Sequence, residues 1–299
     1  MRALLIILLS LFCLTCGESI PQPTTGPTTP NPTEPGGGTT GGGGTTTDPV
    51  YADIDLNNWK ITLPIGNPTE VEPPEILDYR NVDVLRPYLY DDTSDTSLVF
   101  YTSPGSSTRN SSYSRTELRE QMVPGSNSTN WTFAEGGRMY GKLSVPSISL
   151  DENGDPYRTI IMQIHGRLTN EQRDLIGEDD NNAPPVLKIY WQKGKVRVKS
   201  KLLRDPDATY EEALATSAWD DDEGYTFPEE VGTDPFTLEV VADAGGMTVT
   251  LNGVDYPIRN ASMERWGIFE NYFKAGNYLQ TTDETAEAIV KYYELEVSH

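Results

Sequence analysis

From residue 51 to the C-terminus the chain is a succession of short segments in which apolar and polar side chains alternate, broken by Gly, Pro, Asn and Asp. A strand sends successive side chains to opposite faces, so this alternation predicts half-buried strands. They fall at 59–64, 98–101, 115–122, 138–145, 159–165 and 186–192, then at 195–203, 236–242, 247–251, 254–258, 272–280 and 289–297. Lys193-Gly194 and Asn252-Gly253 supply the backbone freedom of tight hairpin turns. Helical periodicity is confined to 170–176 and 281–288, each long enough for a turn or two. Many short strands with little helix predict an all-β fold, an antiparallel β-sandwich or jelly roll. The polar, acidic stretches 168–185 and 205–234 read as long loops that either cover a cleft or decorate the surface.

The first fifty residues follow a different pattern. Arg2 precedes an apolar run from Ala3 to Leu14, interrupted only by Ser10. That run is too short to span a bilayer and has the length of a signal-peptide core, so residues 1–15 are expected to be a signal peptide. Both cysteines of the chain, Cys13 and Cys16, lie here, which leaves the rest without a disulfide or a thiol nucleophile. Thr15-Cys16-Gly17 resembles a bacterial lipoprotein processing site, which makes Cys16 the expected lipidation site, with plain secretion as the alternative. Residues 16–50 are dominated by Thr, Pro and Gly and have almost nothing apolar to offset the entropy of ordering. They are expected to form a disordered tether ahead of a single domain at 51–299. The expected location is the outer membrane or cell surface, or the medium, with membrane contact only through the lipid anchor.

The formal net charge of −22 changes the list of partners. It argues against nucleic acid, because no broad basic face is offered to phosphates. A polyanionic substrate would need a locally positive cleft on this acidic background. The acidic runs, such as Asp220-Asp221-Asp222-Glu223, lack calcium-loop spacing, so neither metal nor cofactor is expected. A monomer is expected.

Three strands concentrate the candidate chemistry. In Arg115-Thr116-Glu117-Leu118-Arg119, the two arginines and Glu117 share a face. That arrangement either binds an anion, with Glu117 steadying both guanidinium groups, or is a surface ladder of ion pairs worth little. In residues 160–167, Ile160, Met162 and Ile164 point one way, and Gln163, His165 and Arg167 the other. A lone strand histidine is often structural, but polar neighbours on its face favour proton transfer. In residues 272–280, Tyr272, Lys274, Gly276, Tyr278 and Gln280 share a face, and Gly276 leaves room for a ligand near the backbone.

Taken in order, Arg-Thr-Glu-Leu-Arg, Gln-Ile-His and Tyr-Phe-Lys-Ala-Gly-Asn-Tyr-Leu-Gln resemble the three signature motifs of the alginate lyases of polysaccharide lyase family seven. Residues 59–64, Trp-Lys-Ile-Thr-Leu-Pro, resemble that family's opening strand, and the likeness covers nearly all of 51–299. The resemblance implies a β-jelly roll with a concave substrate groove, and cleavage of the 1,4-linkages of alginate by β-elimination, with endolytic action expected. It implies a catalytic centre of Arg115, Gln163, His165 and Tyr278. Arg119, Glu117, Lys274, Tyr272 and Gln280 match further groove positions that bind sugar or hold the site in shape, and Arg167, which shares the face of His165, is expected to bind substrate with them. On this reading Arg115 and Gln163 neutralise the uronate carboxylate, His165 accepts a proton, and Tyr278 gives or takes one. Nearby Arg115 and Lys274 are expected to lower the Tyr278 pKa. In that family an isoleucine between Gln163 and His165 accompanies a preference for guluronate-containing substrate. Two alternatives stay open: a lyase for another polyuronate such as glucuronan, and a non-catalytic carbohydrate-binding jelly roll. A glycoside hydrolase needs two paired carboxylates, and the signature strands offer only Glu117.

Overall fold

The computed structural model describes residues 49–107 and 111–299. The expected signal peptide, Cys16 and nearly all of the tether lie outside the described residues. Among the described residues the strands form two antiparallel sheets. The first runs β10 (Trp219–Asp221), β9 (Lys195–Leu203), β8 (Leu187–Gln192), β7 (Arg158–Arg167), β15 (Glu270–Leu279), β5 (Arg115–Glu120), β1 (Trp59–Leu63), β2 (Thr69–Val71), with β11 (Tyr225–Glu230) also paired to β9. The second runs β14 (Val254–Ile258), β13 (Gly246–Leu251), β12 (Phe236–Asp243), β6 (Gly137–Ile148), β16 (Ala288–Ser298), β4 (Ser97–Thr102), β3 (Leu89–Asp92).

The alternation in the sequence explains how the sheets stack. From the first sheet Leu118, Met162, Ile164, Phe273 and Ala275 turn inward, and from the second Phe100, Met139, Leu143, Val290 and Tyr292 do the same; all are buried in one core. The Tyr292 hydroxyl donates to the Ile161 carbonyl at 2.6 Å, so the one polar atom of that ring is satisfied as it crosses between the sheets. The outer face of the first sheet carries the polar residues of β5, β7 and β15. This two-layer β-sandwich is the predicted jelly-roll architecture.

Helix α1 (Asn170–Ile176) forms where periodicity predicts it, and a capping box between Thr169 and Gln172 starts it. The predicted helix at 281–288 is absent. Thr281 Oγ1 accepts the Asp283 amide and Asp283 Oδ1 accepts the Thr285 amide, and these local bonds hold the backbone in a turn instead. The stretch 205–234 contains more structure than a loop: α2 (Tyr210–Leu214), β10 and β11. Gln172 Nε2 bonds both the Tyr210 hydroxyl at 2.8 Å and the Ile268 carbonyl at 2.7 Å, joining α1 to α2.

Candidate active site

The outer face of the first sheet is the floor of a groove of ≈ 1270 Å³. Strand register decides which side chains meet there. Across five adjacent strands Lys60 stands opposite Arg119, Arg119 opposite Lys274, Lys274 opposite Gln163, and Gln163 opposite Lys188. At roughly 4.8 Å per strand this rung of four cations and one amide spans about 19 Å. All five residues line the groove. A protein of net charge −22 thus gathers basic side chains along one line, although Lys60, Lys274 and Lys188 are paired with Glu70, Glu117 and Asp221, so they present directed N–H donors to a polyanion rather than an unbalanced positive field.

Two residues along β5 from Arg119, on the same face and opposite Thr62 and Gly276, lies Glu117, with only 2% of its side chain exposed. Its carboxylate pairs with Lys274 Nζ, accepts Gln163 Nε2 at 2.5 Å and meets Arg115 at 3.5 Å. A buried charge is tolerable only when partnered this fully. Glu117 fixes three groove side chains and is itself covered, so it is not a wall of the groove. Burial lowers the Lys274 pKa to about 8, against the opposing pull of Glu117.

Two Arg–Tyr pairs flank this centre. The Arg115 guanidinium sits 3.9 Å over the Tyr278 ring, and Arg119 sits 4.1 Å over Tyr272. His165 stacks on Tyr272, ring centroids 5.3 Å apart. His165 Nδ1 lies 2.9 Å from the Gly166 carbonyl. A carbonyl only accepts, so Nδ1 carries the proton and Nε2 keeps its lone pair. Burial, reinforced by Lys274, lowers the His165 pKa to about 3, so the ring is a neutral base near pH 7.

Tyr278 is aimed by an irregularity in β15. Gly276 and Asn277 form a bulge against β7, while pairing with β5 stays regular. Gly276 has φ +139°, and a Cβ there would stand 2.6 Å from the Thr116 carbonyl, so no other residue fits without a shift. Asn277, fully buried, accepts the Thr159 hydroxyl at 2.7 Å and donates to the Phe100 and Ala288 carbonyls at 3.1 and 2.8 Å. The bulge is thereby tied to both sheets.

Nearly all the predicted site residues converge: Arg115, Arg119, Gln163, His165, Tyr272, Lys274, Tyr278 and Gln280 line one groove. Glu117, expected among the substrate-binding residues, is absent from the lining, and Ile160, expected in the core, lines the groove because β7 is irregular at Ile161. Three further expectations change. Arg167 is not among the lining residues; its guanidinium pairs with Glu270, its cross-strand partner, at 2.6 Å. Arg119 spends donors on the Glu120 and Asn127 carbonyls and on Asn130 Oδ1, so it braces the floor as well as facing the groove. The Tyr278 pKa is raised rather than lowered, because desolvation outweighs the pull of Arg115. Sequence reasoning missed Lys60, Lys188, Tyr190 and Ser111, which also line the groove. The alternation of Lys60 and Thr62, and of Lys188 and Tyr190, carried a signal for the strand residues. The stretches 168–185 and 205–234 both reach the groove, through Ile176 and Glu178 and through Leu214 to Ser217.

A β-jelly roll whose long groove is lined by lysines, arginines, a neutral imidazole and a buried phenol fits the class of carbohydrate-active enzymes. The family model described as alginate lyase matches residues 54–299. No curated protein matches the chain. Among solved structures, alginate lyase A1-II', a member of polysaccharide lyase family seven, is 29% identical with a TM-score of 0.65, covering 82% of this chain and 96% of that one. A double variant of the same enzyme in complex with a substrate (GGMG) is 28% identical, TM-score 0.65, covering 84% and 97%. Alginate lyase PA1167 from Pseudomonas aeruginosa is 25% identical, TM-score 0.58, covering 82% and 99%. The chain belongs to the alginate lyases of polysaccharide lyase family seven, and its activity is the lysis of alginate.

Proposed function

We propose that the enzyme cleaves alginate within the chain, with Arg115, Gln163, His165 and Tyr278 carrying the β-elimination. The supporting observation is the groove floor itself: cations and an amide in register across five strands, with a neutral imidazole and a phenol on the same surface. The uronate carboxylate binds Arg115 and the second N–H of Gln163, the first being given to Glu117. That neutralisation makes the C5 proton removable and stabilises the enolate-like charge that follows. The C5–H electron pair becomes the new C4–C5 double bond as the bond from C4 to the linking oxygen breaks.

Stereochemistry divides the proton transfers. In guluronate the C5 proton and the leaving oxygen lie on opposite sides, so His165 Nε2 takes the proton while Tyr278 donates one. In mannuronate they lie on the same side, so Tyr278 serves both steps. The test is ultraviolet absorbance of the new double bond on defined mannuronate and guluronate blocks. Replacing Tyr278 by Phe is expected to reduce the rate at least ~1000-fold on both, at the upper end of what acid–base catalysis contributes. Retained activity would remove Tyr278 from the mechanism. A time course of product sizes tests endolytic action: intermediate oligomers appear early if cleavage is internal.

We further propose that the enzyme is exported and held at a membrane through acylated Cys16, with residues 16–50 as the tether. The motif at Thr15-Cys16-Gly17 supports this. Fatty-acid labelling is expected in the wild type and lost, with release of the enzyme, in Cys16→Ser; an unlabelled wild type would favour plain secretion.

A further inference from the structure

The Tyr278 hydroxyl has a partner that neither the three motifs nor the family resemblance supplies. Ser111, in the segment that precedes β5, lines the groove, and its Oγ lies within hydrogen-bond reach of Tyr278 Oη. The same Oγ accepts the Tyr113 amide at 3.1 Å and can donate to the Tyr113 carbonyl at 3.2 Å.

Counting hydrogens gives the arrangement two states. Serine has one hydroxyl hydrogen and tyrosine one. While Tyr278 is protonated, it donates to Ser111 Oγ and Ser111 donates to the Tyr113 carbonyl. Once the phenolic proton has gone to the leaving oxygen, the phenolate can only accept. Ser111 then rotates its hydrogen from the Tyr113 carbonyl to the phenolate, while the Tyr113 amide holds Oγ in place throughout. No covalent bond changes at Ser111.

We propose that Ser111 is a positioning residue for catalysis, a hydroxyl rotor that holds the Tyr278 phenol in the groove and stabilises its phenolate during proton transfer. The proposal rests on the reading that Tyr278 moves the proton. The other groups acting on the phenol are Arg115 and Glu117 from β5 and Tyr190 from β8. Burial raises the Tyr278 pKa, and Arg115 and Ser111 pull it back down, while Glu117 and Tyr190 oppose them. Removing the Ser111 hydroxyl therefore moves the Tyr278 ionisation to higher pH. The sign is the same whether the tyrosine must be ionised to act as base or protonated to act as acid.

The test compares wild type, Ser111→Ala, Ser111→Thr, Ser111→Val and Tyr278→Phe on alginate across pH, with melting temperatures alongside. Thr and Val have the same shape and differ in the hydroxyl, so that pair separates hydrogen bonding from packing even if Ser111→Ala folds poorly. Ser111→Val is expected to lose about 10- to 100-fold in kcat with KM within about twofold, the scale of one hydrogen bond to a charged group. Its Tyr278-controlled limb is expected at higher pH, with Ser111→Thr restoring both. An unmoved limb in Ser111→Val, or equal impairment of Thr and Val, would overturn the proposal while an inactive Tyr278→Phe leaves the underlying reading intact. Full activity in Tyr278→Phe would overturn that reading and the proposal with it.

Discussion

Strand β5 carries two buried carboxylates three residues apart, one on each face of the sheet, and each side of the sheet has one histidine. On the groove face Glu117 holds Lys274, Arg115 and Gln163, and nearby His165 is kept neutral by burial and surrounding cations. On the inner face Glu120 accepts the Trp131 indole N–H at 3.2 Å, the Phe273 amide at 2.9 Å and His299 Nε2 at 2.6 Å, and that pairing raises the His299 pKa against desolvation. The same residue types thus do opposite work. Where a carboxylate collects cations that also face open space, it organises a binding surface; where it collects backbone and ring N–H groups, it closes a structure.

Exchanging the carboxylates is the strongest way to break this contrast. Glu117→Gln leaves Lys274 and Arg115 without their counter-charge and is expected to lower kcat/KM about a hundredfold or more. Glu120→Gln is expected to leave kcat of the folded enzyme within about twofold and to lower unfolding stability by roughly 1–3 kcal/mol. Steady-state kinetics and denaturant melts of both variants check this; equal kinetic damage from the two would erase the distinction.

The histidines sharpen it through pH. The His165 pKa is lowered from 6.5 to about 3, so the folded state resists protonation that the unfolded chain accepts. Wild type therefore loses stability relative to His165→Asn as pH falls from 6.5 toward 3. The His299 pKa is raised above 6.5, so its pairing contributes fully below 6.5 and is lost as pH rises through the raised value. Relative to His299→Asn, the wild-type advantage should shrink with rising pH. Melting temperatures against pH give both slopes, and slopes of the same sign would contradict the assignment.

The smallest effect is expected at Arg167. Its pair with Glu270 is partly exposed and off the groove lining, so Arg167→Gln should change kcat/KM less than about threefold and stability by about 0–1 kcal/mol. A large rise in KM would return Arg167 to the substrate-binding set.

The parts of the fold legible in the sequence are those where alternation runs long. β5, β7 and β15 each carry enough period-two residues to place most of the groove, but at the start of β7 an irregularity at Ile161 turns Ile161 into the core and Ile160, expected in the core, into the groove. β2, β3 and β10 span three or four residues and leave no such pattern. The fate of Arg167 depended on register, which places Glu270 opposite it and which a single strand cannot reveal. The Tyr278 pKa went the other way because a sequence shows nearby charges but not the loss of water around a phenol. Ser111 escaped notice because its segment has no periodicity to aim it.

The central claim is that one uronate unit is held between Arg115 and Gln163 with its C5 facing His165 and Tyr278. A crystal structure of Tyr278→Phe soaked with an alginate tetrasaccharide tests it directly. The account predicts a carboxylate within hydrogen-bond distance of both Arg115 and Gln163, with the C5 hydrogen directed at His165 Nε2 or at the edge of residue 278. A saccharide whose carboxylates bind only Lys60 or Lys188, with C5 remote from both proton carriers, would contradict it.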